Sequence, residues 1–130
     1  MTVKRAVLAA LMVAAAGAAA LAQAGPPYVG KWAVEGSDAC RDGSNDDLKA
    51  TFTVKRLDYY ASTCRVVSSR RLSRSGDNAH RLKLACEGEG AKTEREINLI
   101  VLEKAEQRPE LLLQIDAASW ETLTYQRCGD

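Results

Sequence analysis

Two stretches, Cys64-Arg65-Val66-Val67-Ser68 and His80-Arg81-Leu82-Lys83-Leu84-Ala85-Cys86, decide the fold of this chain. Between them runs Ser73-Arg74-Ser75-Gly76-Asp77-Asn78, dense in turn formers. The second stretch alternates, with Leu82, Leu84 and Cys86 on one face and Arg81 and Lys83 on the other, which is the period of a half-buried strand. In the first, Cys64 and Val66 share a face. Folding the segment about Ser75 sets Cys64 opposite Cys86, Val66 opposite Leu84 and Ser68 opposite Leu82. Both apolar faces coincide in that register, and a slip of one residue would turn one of them to water. The expectation is an antiparallel hairpin with a cross-strand Cys64–Cys86 disulfide. Cys40 and Cys128 then pair by elimination, tying the start of the domain to its end. That loop spans most of the chain, and the chain-entropy model assigns its closure about 4–5 kcal/mol. A zinc site is disfavoured, because the closely spaced cysteine pairs of structural zinc are absent and there is a single histidine.

The rest of the chain reads as further strands. Tyr28 to Val34 is a β-prone opening, and Glu35 to Asp47 is a loop by its Gly, Ser, Asn and Asp content. Leu48, Ala50, Phe52 and Val54 alternate with polar residues, Leu57 to Tyr60 leads into the Cys64 strand, and Leu111 to Ile115 and Trp120 to Cys128 complete the series. Residues 94–104 admit two readings. Thr93-Glu94-Arg95-Glu96 fits a helix capping box, with Ile97, Ile100, Val101 and Lys104 at helical spacing. The β-branched content of Ile97 to Val101, followed by a polar stretch from Lys104 to Pro109, favours a strand and a hairpin loop. The fold class expected is all-β: a small antiparallel up-and-down β-barrel or sandwich with two disulfides.

The N-terminus has a basic pair, Lys4 and Arg5, an apolar run from Ala6 to Leu21, and the small-x-small sequence Ala22-Gln23-Ala24. This order is that of a secretory signal peptide, and the run is short and rich in Ala for a membrane span. We expect residues 1–24 to be the signal, residues 25–130 a single disulfide-stabilised β-barrel domain, and the location to be periplasmic or secreted. Even-numbered cysteines suit such an oxidising compartment. After cleavage no transmembrane segment is expected. Of the chain's 130 residues, 18 are basic and 17 acidic. With Lys4 and Arg5 gone the balance is close to neutral, which removes any global bias toward nucleic acid or an anionic membrane.

Gly30-Lys31-Trp32 near the start is a Gly-x-Trp, and Arg127 precedes Cys128 near the end. In both placement and spacing this resembles the calycin barrels (lipocalins and their relatives), where a Gly-x-Trp on the first strand packs its Trp against an Arg on the last. The chain also looks like small exported proteins of proteobacteria that begin Gly-x-Trp and end Arg-Cys. The resemblance implies a barrel with a structural Trp32–Arg127 pair. The chain is shorter than a typical lipocalin, which argues against a large enclosed cavity. A guanidinium on a Trp face is worth roughly 0.5–2 kcal/mol, and joining first strand to last removes two sheet edges.

Little in the sequence points to catalysis. His80 lacks a nucleophile-elbow Ser nearby and reads as a solvated turn residue. The cysteines are expected to be oxidised, which excludes a thiolate nucleophile. Asp46-Asp47, Glu87 with Glu89 and Glu94 with Glu96 read as surface acids rather than a glycosidase pair. Asp42-Gly43-Ser44-Asn45-Asp46-Asp47 has alternating oxygen donors but departs from the EF-hand template at Asp47 and Thr53. No metal and no cofactor are expected. The basic residues are more distinctive. Arg65, Arg70, Arg71, Arg74, Arg81 and Lys83 all fall on the hairpin, and Arg70, Arg71, Arg74 and Arg81 near its tip are candidates for anion binding. The alternative is that outward strand positions carry charge for solubility and edge protection. The reading is therefore a non-enzymatic exported binding module for a small amphiphile or an anionic cell-envelope component, the alternative being a periplasmic inhibitor of a protease or lysozyme. In the latter case the resemblance to calycin-like protease inhibitors of bacteria, some of which use a free N-terminal segment, implies that Gly25-Pro26-Pro27 could mimic that segment. The partner would be a small molecule, an envelope component or a target enzyme, and not nucleic acid, since no aromatic-interleaved basic motif occurs.

Overall fold

A computed structural model describes residues 25–41, 45–76 and 78–129. The expected signal (1–24), residues 42–44 of the candidate calcium loop, and Asp77 of the hairpin turn lie outside the described residues. Eight strands follow in chain order: β1 (Gly30–Val34), β2 (Lys49–Phe52), β3 (Arg56–Tyr59), β4 (Ser62–Arg71), β5 (Ala79–Gly88), β6 (Ala91–Leu102), β7 (Leu111–Asp116) and β8 (Thr122–Arg127). Each pairs antiparallel with its successor, and β8 pairs back with β1. Of the two all-β architectures expected, the chain adopts the closed up-and-down barrel. Residues 94–104 belong to strand β6 and the loop after it. The strand reading holds because Ile97, Leu99 and Val101 are buried at a period of two and β6 is paired on both sides.

The β4–β5 hairpin forms, with Cys64 opposite and bonded to Cys86 and Val66 opposite Leu84. Beyond Val66 the expected register fails by one residue. Ser68 faces Lys83 rather than Leu82, and Ser69 takes the place opposite Leu82. The extra residue is Val67, extruded as a β-bulge and exposed. A bulge bends its strand and raises the local twist, and both help a long hairpin curve into a small barrel. The strand expected around Phe52 is shorter than its alternation suggested. Leu48 ends a single 3-10 turn, and Val54 is exposed in the β2–β3 turn, where Thr53 and Arg56 bond each other. Trp120, expected in the last strand, sits in the β7–β8 turn instead.

Trp32, Phe52, Leu57, Leu82, Leu84, Ile97, Leu99 and Leu112 fill the barrel and are fully buried. Eight strands enclose a space that side chains of this size can fill, and each buried large apolar side chain contributes roughly 1.5–3 kcal/mol. The closing seam is short, as are the β2–β3 and β3–β4 ladders: only Trp32, Ala33 and Val34 of β1 pair with Arg127, Gln126 and Tyr125 of β8. Side chains reinforce it. The Arg127 guanidinium lies 4.2 Å from the Trp32 ring centroid. It donates to Val29 O at 3.0 Å, to Pro27 O, and to Glu110 Oε1 at 2.7 Å, while Trp32 Nε1 donates to Tyr28 O at 2.8 Å. On the outside, the β1–β2 loop doubles back over the seam. Gln126 Nε2 donates to Ser37 O, Ala39 and the outward-phase Ala33 are both fully buried, and Cys40 is bonded to Cys128. Both disulfides thus pair as expected. Gly25-Pro26-Pro27 is no free segment beyond its first residue, since Pro26 O accepts from Val29 N and Pro27 O from Arg127.

Gly30 is the glycine that this seam requires. Its φ is 145°, and a Cβ there would overlap Arg127 Nη1, an atom held by its own bonds to the backbone. Gly30→Ala is expected to lower the stability of the oxidised protein by about 2 kcal/mol, combining backbone strain with displacement of the guanidinium. Urea unfolding followed by near-ultraviolet circular dichroism checks it.

Candidate functional site

The hairpin arginines are not brought together as one tip cluster. Arg70 points outward directly opposite Arg81, Arg71 takes the inward phase opposite His80, and Arg74 is exposed in the turn beyond. Arg81 is committed to the barrel wall: its Nε donates to Asn98 Oδ1 at 2.9 Å and lies 3.7 Å from Glu96 Oε1. His80 is not a solvated turn residue. It is 7% exposed, inside the barrel wall, and edge-on to Tyr28 at 5.2 Å. Its place was legible, because His80 has the same parity as Leu82, Leu84 and Cys86. Among the paired acids, Glu87 lies 3.4 Å from Lys92 and Asp46 bonds Lys49, as surface acids do. Among the described residues no three His, Cys, Asp or Glu side chains converge as metal ligands.

An opening of about 720 Å³ lies at the end of the barrel where β3 turns into β4 and β7 into β8; a second depression, of about 690 Å³, lies at the other end between Pro27, the β4–β5 turn and the β6–β7 loop. Five inward-phase residues line the first: Tyr59, Arg95, Gln114, Leu123 and Tyr125. Asp116, opposite Ile97, joins them. The floor is aromatic, with the Phe52 ring edge-on to Tyr59 at 5.5 Å and to Tyr125 at 6.1 Å. Above it lies a polar layer. Tyr59 Oη donates to Gln114 Oε1 at 2.6 Å, and Arg95 Nη2 donates to Asp116 Oδ2 at 3.4 Å. Tyr60 stands on the rim, 71% exposed, across from Leu123. Asp47 and Glu121 also line the opening, so one cation faces three carboxylates.

Burial pushes the Tyr125 phenol up to about 12, with Arg95 pulling the other way. Tyr59 is raised further by burial and by its neighbour Tyr125. Both phenols therefore stay protonated at neutral pH and present O–H groups. Asp116 is held below the usual carboxylate range, first by the backbone N–H groups of Ser119 and Ala118 and then by Arg95. Those two N–H groups donate to Asp116 Oδ1 at 3.0 and 2.9 Å. Glu121 N donates to Ser119 Oγ, and Thr122 Oγ1 to Trp120 O. The turn so fixed holds Trp120 at φ 63° with its side chain 72% exposed. A positive φ on a bulky residue is costly and persists only where its surroundings over-determine it.

None of these mouth residues was read from the sequence as part of a binding site; Asp47 figured there only as a surface acid of the calcium-like loop and Arg95 only in the capping box. The one local signal was Gln114, a polar residue on the same phase as the buried Leu112. The others come from four strands, and only closure of the barrel brings them together. Compared with protein-family models, curated proteins and solved structures, the chain matches none.

The Asp116 geometry has a definite pH signature. A carboxylate whose pKa is lowered by folding stabilises the turn above its ordinary value, and that stabilisation is lost as pH falls through the lowered one. The amide resonances of Ala118 and Ser119 are expected to titrate together, with a midpoint below about 3.9. NMR spectra recorded across acid pH check this, and a midpoint at or above that value would show that the carboxylate does not hold the turn.

Proposed function

We propose that the protein is an exported, non-enzymatic binding module of the calycin-like type, acting in the periplasm or outside the cell, which takes a small amphiphile at the open mouth of its barrel. The observation that carries this reading is the aromatic floor and oriented polar layer at the β3–β4 and β7–β8 end of a barrel whose interior is otherwise filled. An apolar tail would reach the Phe52–Tyr59–Tyr125 floor and the Leu123 wall. A head group would meet Tyr59, Gln114 and the Arg95–Asp116 pair. Concave, largely aromatic surfaces with a few oriented polar groups are what small-molecule sites have in common. The excess of carboxylates around the opening disfavours an anionic head, so the ligand class is neutral and hydroxylated. Two formed disulfides suit the oxidising compartment. Among the described residues no helix is long and apolar enough to cross a membrane. The Trp32–Arg127 contact supports the calycin-like reading.

A second reading, inhibition of a protease or lysozyme, is favoured by a single feature, the rigid turn that displays Trp120. Exposed, pre-ordered Trp residues are common anchors of protein interfaces. The anchored N-terminal segment removes the other feature that pointed this way.

Titration with monomeric octyl glucoside, followed by calorimetry and by amide shifts, separates the two. Binding is expected to perturb Tyr59, Gln114 and Tyr125, and to weaken at least tenfold when Tyr60→Ser and Leu123→Ser are combined, a loss of about 1.4 kcal/mol. Binding that the double variant leaves unchanged, or an absence of binding together with inhibition that Trp120→Gly abolishes, would favour the second reading.

A further inference from the structure

The Val67 bulge builds something that neither disulfide nor core packing requires. Had the hairpin kept the register of Cys64 and Cys86 to its end, Arg70 would lie opposite His80 on the inward phase. With the bulge, Arg70 turns outward and lies directly opposite Arg81, while Ser68 lies opposite Lys83. Like charges directly opposed across a strand pair are destabilising, so although the bulge helps the hairpin curve, the Arg70–Arg81 juxtaposition it creates adds nothing to the stability of the barrel. Bulges that re-aim side chains are often found beside functional sites.

The four residues line one depression of about 380 Å³ on the outer wall of β4 and β5. Three cations border it, and Glu96 is the one carboxylate among its lining residues. Arg81 is already oriented by Asn98, itself buried, and Glu96 lies on the same side of it. Arg70 and Lys83 have no ion-pair partner among the described residues, and both are exposed. A guanidinium already oriented, a second guanidinium and an ammonium free to close, and a serine hydroxyl beside them match a tetrahedral oxyanion. Guanidinium forks bond two of its oxygens at once, and the ammonium supplies a point charge. An anion there would also relieve the Arg70–Arg81 repulsion.

We propose that Ser68, Arg70, Arg81 and Lys83 form a binding site for a phosphate or phosphomonoester group, on the barrel wall and separate from the mouth. The site differs from a diffuse basic tip in one respect: Arg74, also exposed and nearby in sequence, is not part of it.

The test uses the oxidised protein at low ionic strength with two probes, inorganic phosphate and vesicles of phosphatidylcholine containing phosphatidic acid, with pure phosphatidylcholine vesicles as control. Amide shifts at 68–70 and 81–83 report on phosphate, and co-sedimentation reports on the vesicles. Binding to phosphate identifies a free anion as sufficient, and binding to the acidic vesicles alone identifies a lipid head group; either supports the site. Arg70→Gln with Lys83→Gln is expected to weaken binding at least tenfold, while Arg74→Gln changes it less than twofold. Unchanged Cys64 and Cys86 resonances establish that the variants fold. The proposal is overturned if the parent binds neither probe, or if Arg74→Gln weakens binding as much as the double variant does. None of these variants touches the mouth, so octyl glucoside binding should survive them all, and failure here leaves the mouth reading standing on its own test.

Discussion

The guanidinium of Arg127 is the contact on which the closed barrel depends. It covers the Trp32 ring at 4.2 Å and bonds the backbone ahead of β1 at Val29 and Pro27. The Glu110 carboxylate balances its charge from the end of the β7 entry loop. One side chain thereby joins the start of the domain, the last strand and the connection before β7, at a seam that has only three residue pairs of its own. Water would outcompete such bonds on an open surface. Here the guanidinium is only 29% exposed, and its apolar face is taken by Trp32. Partial desolvation strengthens each of these interactions. The cost falls on the first strand, which must have no side chain at Gly30, so Gly-x-Trp and Arg127 are one device.

Closure determines what the two ends of the barrel can do. At the seam end Tyr28 and Trp32 are fully buried and the Pro26-Pro27 segment is anchored beside them, leaving a depression between Pro27, the β4–β5 turn and the β6–β7 loop. At the other end β3–β4 and β7–β8 are joined by short turns, and Asp47 of the longer β1–β2 connection lines the opening. The polar layer of Tyr59, Gln114, Arg95 and Asp116 sits there above an aromatic floor, with protonated phenols and one ion pair. The Asp116 carboxylate has two duties. One oxygen faces Arg95 across the opening, and the other stiffens the turn that displays Trp120. Charge separates the two candidate surfaces: the mouth is rich in carboxylates, whereas the bulged wall is rich in cations.

The fold was legible in the sequence where a period of two met a covalent or packing constraint. Cys64 and Cys86 could face each other in one register only, and that register implied the second disulfide. Gly30, Trp32 and Arg127 signalled first and last strands in contact. The strand from Ile97 to Val101 was ambiguous because a capping box preceded it, and tertiary pairing on both sides overrode that local signal. Val67 was not legible, since one extruded residue leaves the composition of a strand unchanged while moving every later side chain to the other face. The bulge therefore sets Arg70 opposite Arg81 on the outer face, near Lys83, and turns Arg71 to the inward phase opposite His80. His80 was misplaced by its closeness to a turn, although its parity pointed inward. The mouth was invisible because its residues lie on β3, β6, β7 and β8, and no spacing along the chain links them.

Amide hydrogen exchange in Arg127→Met tests the role of this side chain most directly, since Met keeps much of the apolar length and removes the charge and donors. The Cys40–Cys128 disulfide keeps the variant tethered. Two amides flanking the β1–β8 ladder also span the seam, Glu35 N to Thr124 O and Cys128 N to Lys31 O. The account predicts that both lose protection in the variant while the amides of Leu84 and Ile97, far around the barrel, keep theirs. Equal protection at the seam in parent and variant would contradict it, and would mean that the disulfide and the ladder close the barrel without the guanidinium.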